Sequence, residues 1–80
     1  MKYFKDRIKP SGSGSATRSG EFITIPDSYK GAVAYEYYVG EKLCGVGNNH
    51  LLKVKDDGTT GAKKLYGIAY DGSRLEIPLN

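Results

Sequence analysis

The sequence predicts an all-β protein: a small barrel or sandwich of five or six short antiparallel strands, carrying an extended N-terminal arm. Three observations lead there. Past residue 20, apolar side chains recur with a period of two rather than 3.6. Clusters rich in Gly, Asp and Pro separate those runs at short intervals. Ahead of them lies "SGSGSATRSG", residues 11–20, with no Leu, Val, Ile, Phe or Tyr to offer a core. The expected organisation is a flexible basic arm over 1–20 and a compact β domain over 21–80.

The arm comes first. A stretch of Ser, Gly, Ala and Thr loses more conformational entropy on ordering than its burial returns. Before it stands "YFKDRI", three large apolar side chains among alternating charges. Phe4 and Ile8 share a helical spacing of four, but Pro10 stops such a turn, and isolated helices shorter than ~12 residues are marginal. A spacer with an apolar, charged tip suits a segment that orders on a neighbouring subunit, and about 20 extended residues reach up to ~65 Å. "SGSGS" also resembles an engineered spacer, although "ATRSG" is not a usual linker ending. The arm residues expected to touch a partner are Tyr3, Phe4, Lys5, Arg7, Ile8, Lys9 and Arg18.

The strands follow in order. "EFITIP" alternates, placing Ile23 and Ile25 on one face, and Pro26 ends it for want of an N–H. "AVAYEYYV" is dense in β-branched and aromatic residues, with Val33, Tyr35, Tyr37 and Val39 sharing a face. Gly40-Glu41 fits a two-residue turn with glycine first. It would return the chain as "KLCGVG", Cys44 opposite Tyr37 and Val46 opposite Tyr35. "LLKVK" resumes the alternation, and "DDGTTG" reads as a longer turn in which Asp56 and Asp57 face water. "KKLYGIAY" and "SRLEIPLN" flank Asp71-Gly72, a strong hairpin signal. With that dipeptide central, Tyr66, Ile68, Tyr70, Leu75 and Ile77 line one apolar face.

Composition excludes several chemistries. Cys44 is the only cysteine, so no disulfide closes within the chain, and it reads as a small buried hydrophobe. His50 is alone as well, leaving no Cys/His set at zinc spacing. "GVGNNH" lacks the Gly-Lys-Ser/Thr ending of a phosphate loop and reads as a turn between strands. "KDDGTTG" lacks the spaced ligands of a calcium loop. No residues are singled out as catalytic, cofactor-binding or metal-ligating, and the chain reads as non-enzymatic. No apolar run approaches the ~20 residues of a membrane span, and "MKYFKDRIKP" lacks the apolar stretch of a secretion signal.

The net charge of +3 is uneven. Residues 1–20 hold five basic side chains against Asp6, for +4, and residues 21–80 hold seven basic against eight acidic, for −1. A positive arm on a near-neutral body suits an acidic protein surface or nucleic acid. Two of the seven tyrosines, Tyr29 and Tyr38, fall in a loop or on the opposite strand face. There they read as partner-binding, since amphipathic tyrosines favour interfaces.

"KVKDDGTTGAKKLYGIAYDGSRLEIPLN", residues 53–80, resembles the end of small bacteriophage head-decoration (capsid cement) proteins. In those a "DGTT"-like turn and a strand containing "GIA" or "GIL" precede the final strand. The layout of arm and body is similar too. The chain is shorter than most members, and "YKGAVAYEYYVGEKLCG" matches no part of that pattern. The resemblance implies a structural role on a virion after synthesis in the host cytoplasm. It also implies a capsid surface as partner and often trimers, so a homo-oligomer is in keeping with it. The alternative is a small β-barrel that binds single-stranded nucleic acid on exposed rings. A groove tracking phosphates should be basic, however, and the body is slightly acidic.

Overall fold

Alternation and turn chemistry cut the chain into strands much as expected. The computed structural model describes residues 11–56 and 58–80. Its strands are β1 (Thr17–Ser19), β2 (Phe22–Thr24), β3 (Ala34–Val39), β4 (Lys42–Gly47), β5 (Leu51–Lys53), β6 (Lys63–Ile68) and β7 (Arg74–Ile77). The fold is all-β, with no helix among the described residues. In β2, Ile23 points inward and Phe22 and Thr24 outward; Ile25 follows inward, and the strand stops before Pro26. In β3, Tyr35, Tyr37 and Val39 are buried, while Val33 lies outside the strand and is exposed. Leu52 of β5 and Val54 just beyond it complete the same inward set.

The strands pair into two antiparallel sheets, β1-β2-β5 and β4-β3-β6-β7. Both sheets are joined at their edges. At one seam Gly45 bridges Val54, and the Lys55 N–H donates to the Cys44 carbonyl (2.8 Å). At the other, Ala16 runs parallel to Leu79: the Ala16 N–H donates to the Pro78 carbonyl (2.8 Å) and the Asn80 N–H to the Ala16 carbonyl (2.9 Å). The strands therefore follow one another around a ring, β1-β2-β5-β4-β3-β6-β7, closing on β1. Its interior is packed by Ile23, Ile25, Tyr37, Leu52, Leu65 and Ile77, all at most 2% exposed. Burying each such side chain stabilises the fold by about 1.5–3 kcal/mol.

The first departure from expectation is the N-terminal boundary. Residues 11–20 belong to the body, and β1 raises the strand number to seven. Ser11 exchanges two backbone hydrogen bonds with Lys30 (3.0 and 2.8 Å). Ala16 is fully buried, small enough to fill the parallel seam. A Cβ at Gly12 would collide with the Tyr29 ring, so glycine lets that ring lie on the backbone. The segment is anchored by backbone bonds and by side chains that other segments supply. Of the expected arm, residues 1–10 lie outside the described residues.

Two registers also differ. The Gly40-Glu41 turn forms as expected, with Val39 opposite Lys42 and a positive φ at Gly40. A bulge then inserts Cys44, so Tyr37 faces Gly45, Tyr35 faces Gly47 and Val46 is turned outward. Gly45 and Gly47 thus lie within β4 and not in a turn. A Cβ at Gly45 would sit 2.6 Å from Val54 Cγ1, and one at Gly47 2.9 Å from Leu52 Cδ1. Glycine at those two places is what allows β5 to close on β4. In the last hairpin, Tyr70, Asp71 and Gly72 form a three-residue loop closed by the Ala69–Ser73 pair, with Gly72 at φ 90°. The register is Leu65 opposite Ile77 and Gly67 opposite Leu75, one residue from the expected pairing. That slip sends Tyr66 and Ile68 to the outer face and leaves Tyr70 in solvent.

Candidate functional site

The residues expected to bind a partner have separate fates. Tyr3, Phe4, Lys5, Arg7, Ile8 and Lys9 lie outside the described residues. Tyr29 is not a surface residue: it is 4% exposed, packed on Gly12, and its hydroxyl donates to the Gly14 carbonyl. Arg18 is engaged within the fold. Its guanidinium donates to both carboxylate oxygens of Asp56 (Nη2 to Oδ1, 3.0 Å) and to the Tyr37 hydroxyl (3.2 Å), and lies over the Tyr37 ring. Asp56 is accordingly paired and not simply solvated, and Asp57 lies outside the described residues. The Arg18 hydrogen bond holds the Asp56 carboxyl below the usual carboxylate range. Burial pushes the Tyr37 phenol up, against the lowering effect of the Arg18 charge. This cluster ties β1 to the segment after β5 and caps the ring where the Tyr37 hydroxyl reaches it.

His50 is likewise satisfied by the fold. Its Nδ1 lies 3.2 and 3.1 Å from the carbonyls of Ile25 and Pro26, and its Nε2 3.3 Å from the Tyr35 hydroxyl. Two carbonyl acceptors at Nδ1 favour the tautomer with its hydrogen there, in which Nε2 accepts from the Tyr35 hydroxyl. Cys44 is buried in the bulge as a small apolar side chain. No group of three or more His, Cys, Asp or Glu side chains is placed to hold a metal among the described residues.

Tyr38 alone of the described candidates stands on an open surface, and it brings neighbours that sequence reasoning missed. On the outer face of the four-stranded sheet, three rows cross the strands. Leu43, Tyr38 and Lys64 form the first, and Val46, Glu36, Tyr66 and Glu76 the second. Ala34, Ile68 and Arg74 form the third. The Tyr38 and Tyr66 rings meet edge to face at 5.9 Å. The Arg74 guanidinium lies over both, 6.0 and 5.5 Å from their centroids. The Tyr38 hydroxyl donates to Glu36 (3.0 Å), Arg74 approaches Glu36 at 3.7 Å, and Lys64 pairs with Glu76 at 3.3 Å. A shallow depression of about 190 Å³ opens between Tyr38, Gly40, Glu41, Lys64, Tyr66 and Arg74. Leu43 and Val46 continue the face at 45% and 59% exposure.

This surface can bury rings and aliphatic groups against a flat partner. It carries no strong field, because two carboxylates and two cations offset one another in its rows. Tyr66 and Arg74 escape detection from sequence because only the one-residue slip in the hairpin puts them beside Tyr38. No protein-family model, curated protein or solved structure matches this chain.

Proposed function

We propose that this protein is a non-enzymatic structural element that docks on a larger protein assembly and reinforces it. A virion capsid is the assembly that the resemblance of residues 53–80 implies. The observation carrying this reading is the outer face of the four-stranded sheet: aromatic, aliphatic and Arg-bearing at its centre, with its charges paired internally. Protein interfaces favour Tyr and Arg at their centre, and anchors of this kind supply most of the binding energy. The arm, through Phe4, Ile8 and the basic residues around them, would extend the contact to a neighbouring subunit.

The balanced charge also weighs against the nucleic-acid alternative. A groove for single strands needs cations free to track phosphates, and here Arg74 and Lys64 each lie within 4 Å of a glutamate. The test is co-sedimentation of the full chain with purified phage heads bearing unfilled surface sites, beside titration of a labelled oligothymidylate at low and high salt. Tyr66→Ala and Leu43→Ala should each weaken attachment to the particle, by about tenfold where the side chain is an anchor. Tight oligothymidylate binding that falls steeply with salt and is lost with Tyr66→Ala would replace this reading with the nucleic-acid one.

A further inference from the structure

Beyond the seam with Ala16, the outer edge of β7 at Arg74 and Glu76 meets no backbone partner among the described residues. The Ala69 N–H donates to the Ser73 carbonyl, so those two residues form a bonded pair of the hairpin ladder. Bonded and non-bonded pairs alternate along antiparallel strands. In the observed register Leu75 and Ile77 therefore aim their backbone groups at β6, and Arg74, Glu76 and Pro78 aim theirs away. The Pro78 carbonyl agrees, since it accepts from Ala16 across the seam. Arg74 and Glu76 have no such backbone partner among the described residues, and both side chains are exposed on the outer face. The opposite edge of this sheet, at β4, is met by Val54 and Lys55.

We propose that a second copy of this chain pairs at this edge, β7 against β7, antiparallel about a two-fold axis. One sheet of eight strands would then run through both protomers. Charge selects the register, because Arg74 and Glu76 are exposed and, although each faces a charge of its own chain (Glu36 at 3.7 Å, Lys64 at 3.3 Å), neither of these surface pairs is buried. Arg74 lies opposite Glu76 of the partner subunit and Glu76 opposite the partner's Arg74, both as bonded pairs, giving four backbone hydrogen bonds. Leu75 faces the partner's Leu75 between them. Shifting by two residues, the next register that keeps the bonded alternation, sets Arg74 against the partner's Arg74 or Glu76 against the partner's Glu76. Opposite charges directly across a strand pair are favourable and like charges unfavourable. An isologous contact of this kind closes at two copies and leaves no further open edge at β7. The proposal stands independently of particle binding, which the dimer would present with a doubled face.

The test is sedimentation of the full chain at low salt over a wide concentration range, with folding checked by amide dispersion. The chain should self-associate to a dimer. Arg74→Glu and Glu76→Arg should each weaken that association by about tenfold or more, because both pairs become like-charged. An equimolar mixture of the two variants should recover it, since opposite charges again face each other at both pairs. Glu76→Pro removes an N–H that points away from β6, and should abolish the dimer while sparing the hairpin. Half-labelled samples should show an intermolecular contact between Leu75 Hα atoms, as expected for a non-bonded pair. A chain that stays monomeric throughout, a mixture that recovers nothing, or a dimer indifferent to Glu76→Pro overturns the proposal.

Discussion

The seam between β4 and β5 offers a quantitative test of how the ring closes. Gly45 has an ordinary negative-φ backbone, so Ala is not strained there by conformation. The obstacle is space: a Cβ would lie 2.6 Å from Val54 Cγ1, 3.0 Å from the Lys53 carbonyl oxygen and 3.3 Å from Val54 Cα. Gly45→Ala should therefore destabilise by about 1–3 kcal/mol, the usual range for overpacking. Val54 is 1% exposed. Truncating it to Ala removes two buried carbons at ~0.8 kcal/mol each, and the cavity raises the cost to about 2–3 kcal/mol. The two changes should not add. Val54→Ala removes the atom that the methyl introduced by Gly45→Ala would strike, and that methyl refills part of the cavity. The double variant should fall short of the sum by roughly 1–2 kcal/mol, a coupling normal for touching residues. It should still not regain parental stability, because the Lys53 carbonyl remains in the way. Urea midpoints of the three variants, read at constant m, measure this cycle. Additivity within ~0.5 kcal/mol would mean that β4 and β5 do not meet at Gly45 and Val54.

Other expectations follow from the same geometry. Leu65→Ala should cost about 2–5 kcal/mol and Ile68→Ala less than half as much, because Leu65 is buried and Ile68 stands on the outer face; equal costs in urea unfolding would restore the register centred on Asp71-Gly72. Tyr37→Phe should cost about 0.5–1.5 kcal/mol by removing the hydroxyl that accepts from Arg18, measured by thermal melting. The Asp56 carboxyl titrates lower folded than unfolded, so its contribution is present above the unfolded value of about 3.9 and is lost as pH falls through the folded one. Asp56→Asn should accordingly flatten the acid limb of the stability profile and lower stability near neutrality; an unchanged acid limb would refute the pairing. Burial raises the phenols of Tyr35 and Tyr37. In ultraviolet titration both should ionise above the ordinary phenol value of about 10. A phenol with a raised folded value binds its proton more tightly in the native state, so the stability it contributes below about pH 10 should vanish as pH rises through that folded value.

The class of fold, most of the turns and the inward sets of β2 and β3 are written locally in the chain. Alternation at Ile23 and Ile25, or at Tyr35, Tyr37 and Val39, follows from the two-residue period of an extended backbone. The Gly40-Glu41 turn follows from what glycine permits at positive φ. The candidate face was legible only in part, through Tyr38. Everything else depends on packing between distant segments. "SGSGSATRSG" has nothing to bury on its own account, yet it is held because Tyr29, Asp56, Lys30 and Pro78 supply partners from elsewhere in the chain. No window of sequence around residues 11–20 contains them. Cys44 became a bulge because β4 must curve to bring Gly45 and Gly47 against β5, a demand that arises only when two sheets close into a ring. In the last hairpin, Asp71-Gly72 promised a two-residue turn and a register with Tyr66 and Ile68 on the apolar face, one residue from the register that forms. What separated them was the core: Leu65, Gly67 and Ile77 fit the space beside Tyr35 and Tyr37, and Tyr66 and Ile68 were left to form the outer face with Tyr38 and Arg74. A side chain's partner across the molecule is a property of the packed whole, and a one-residue slip is enough to move it from the interior to the surface.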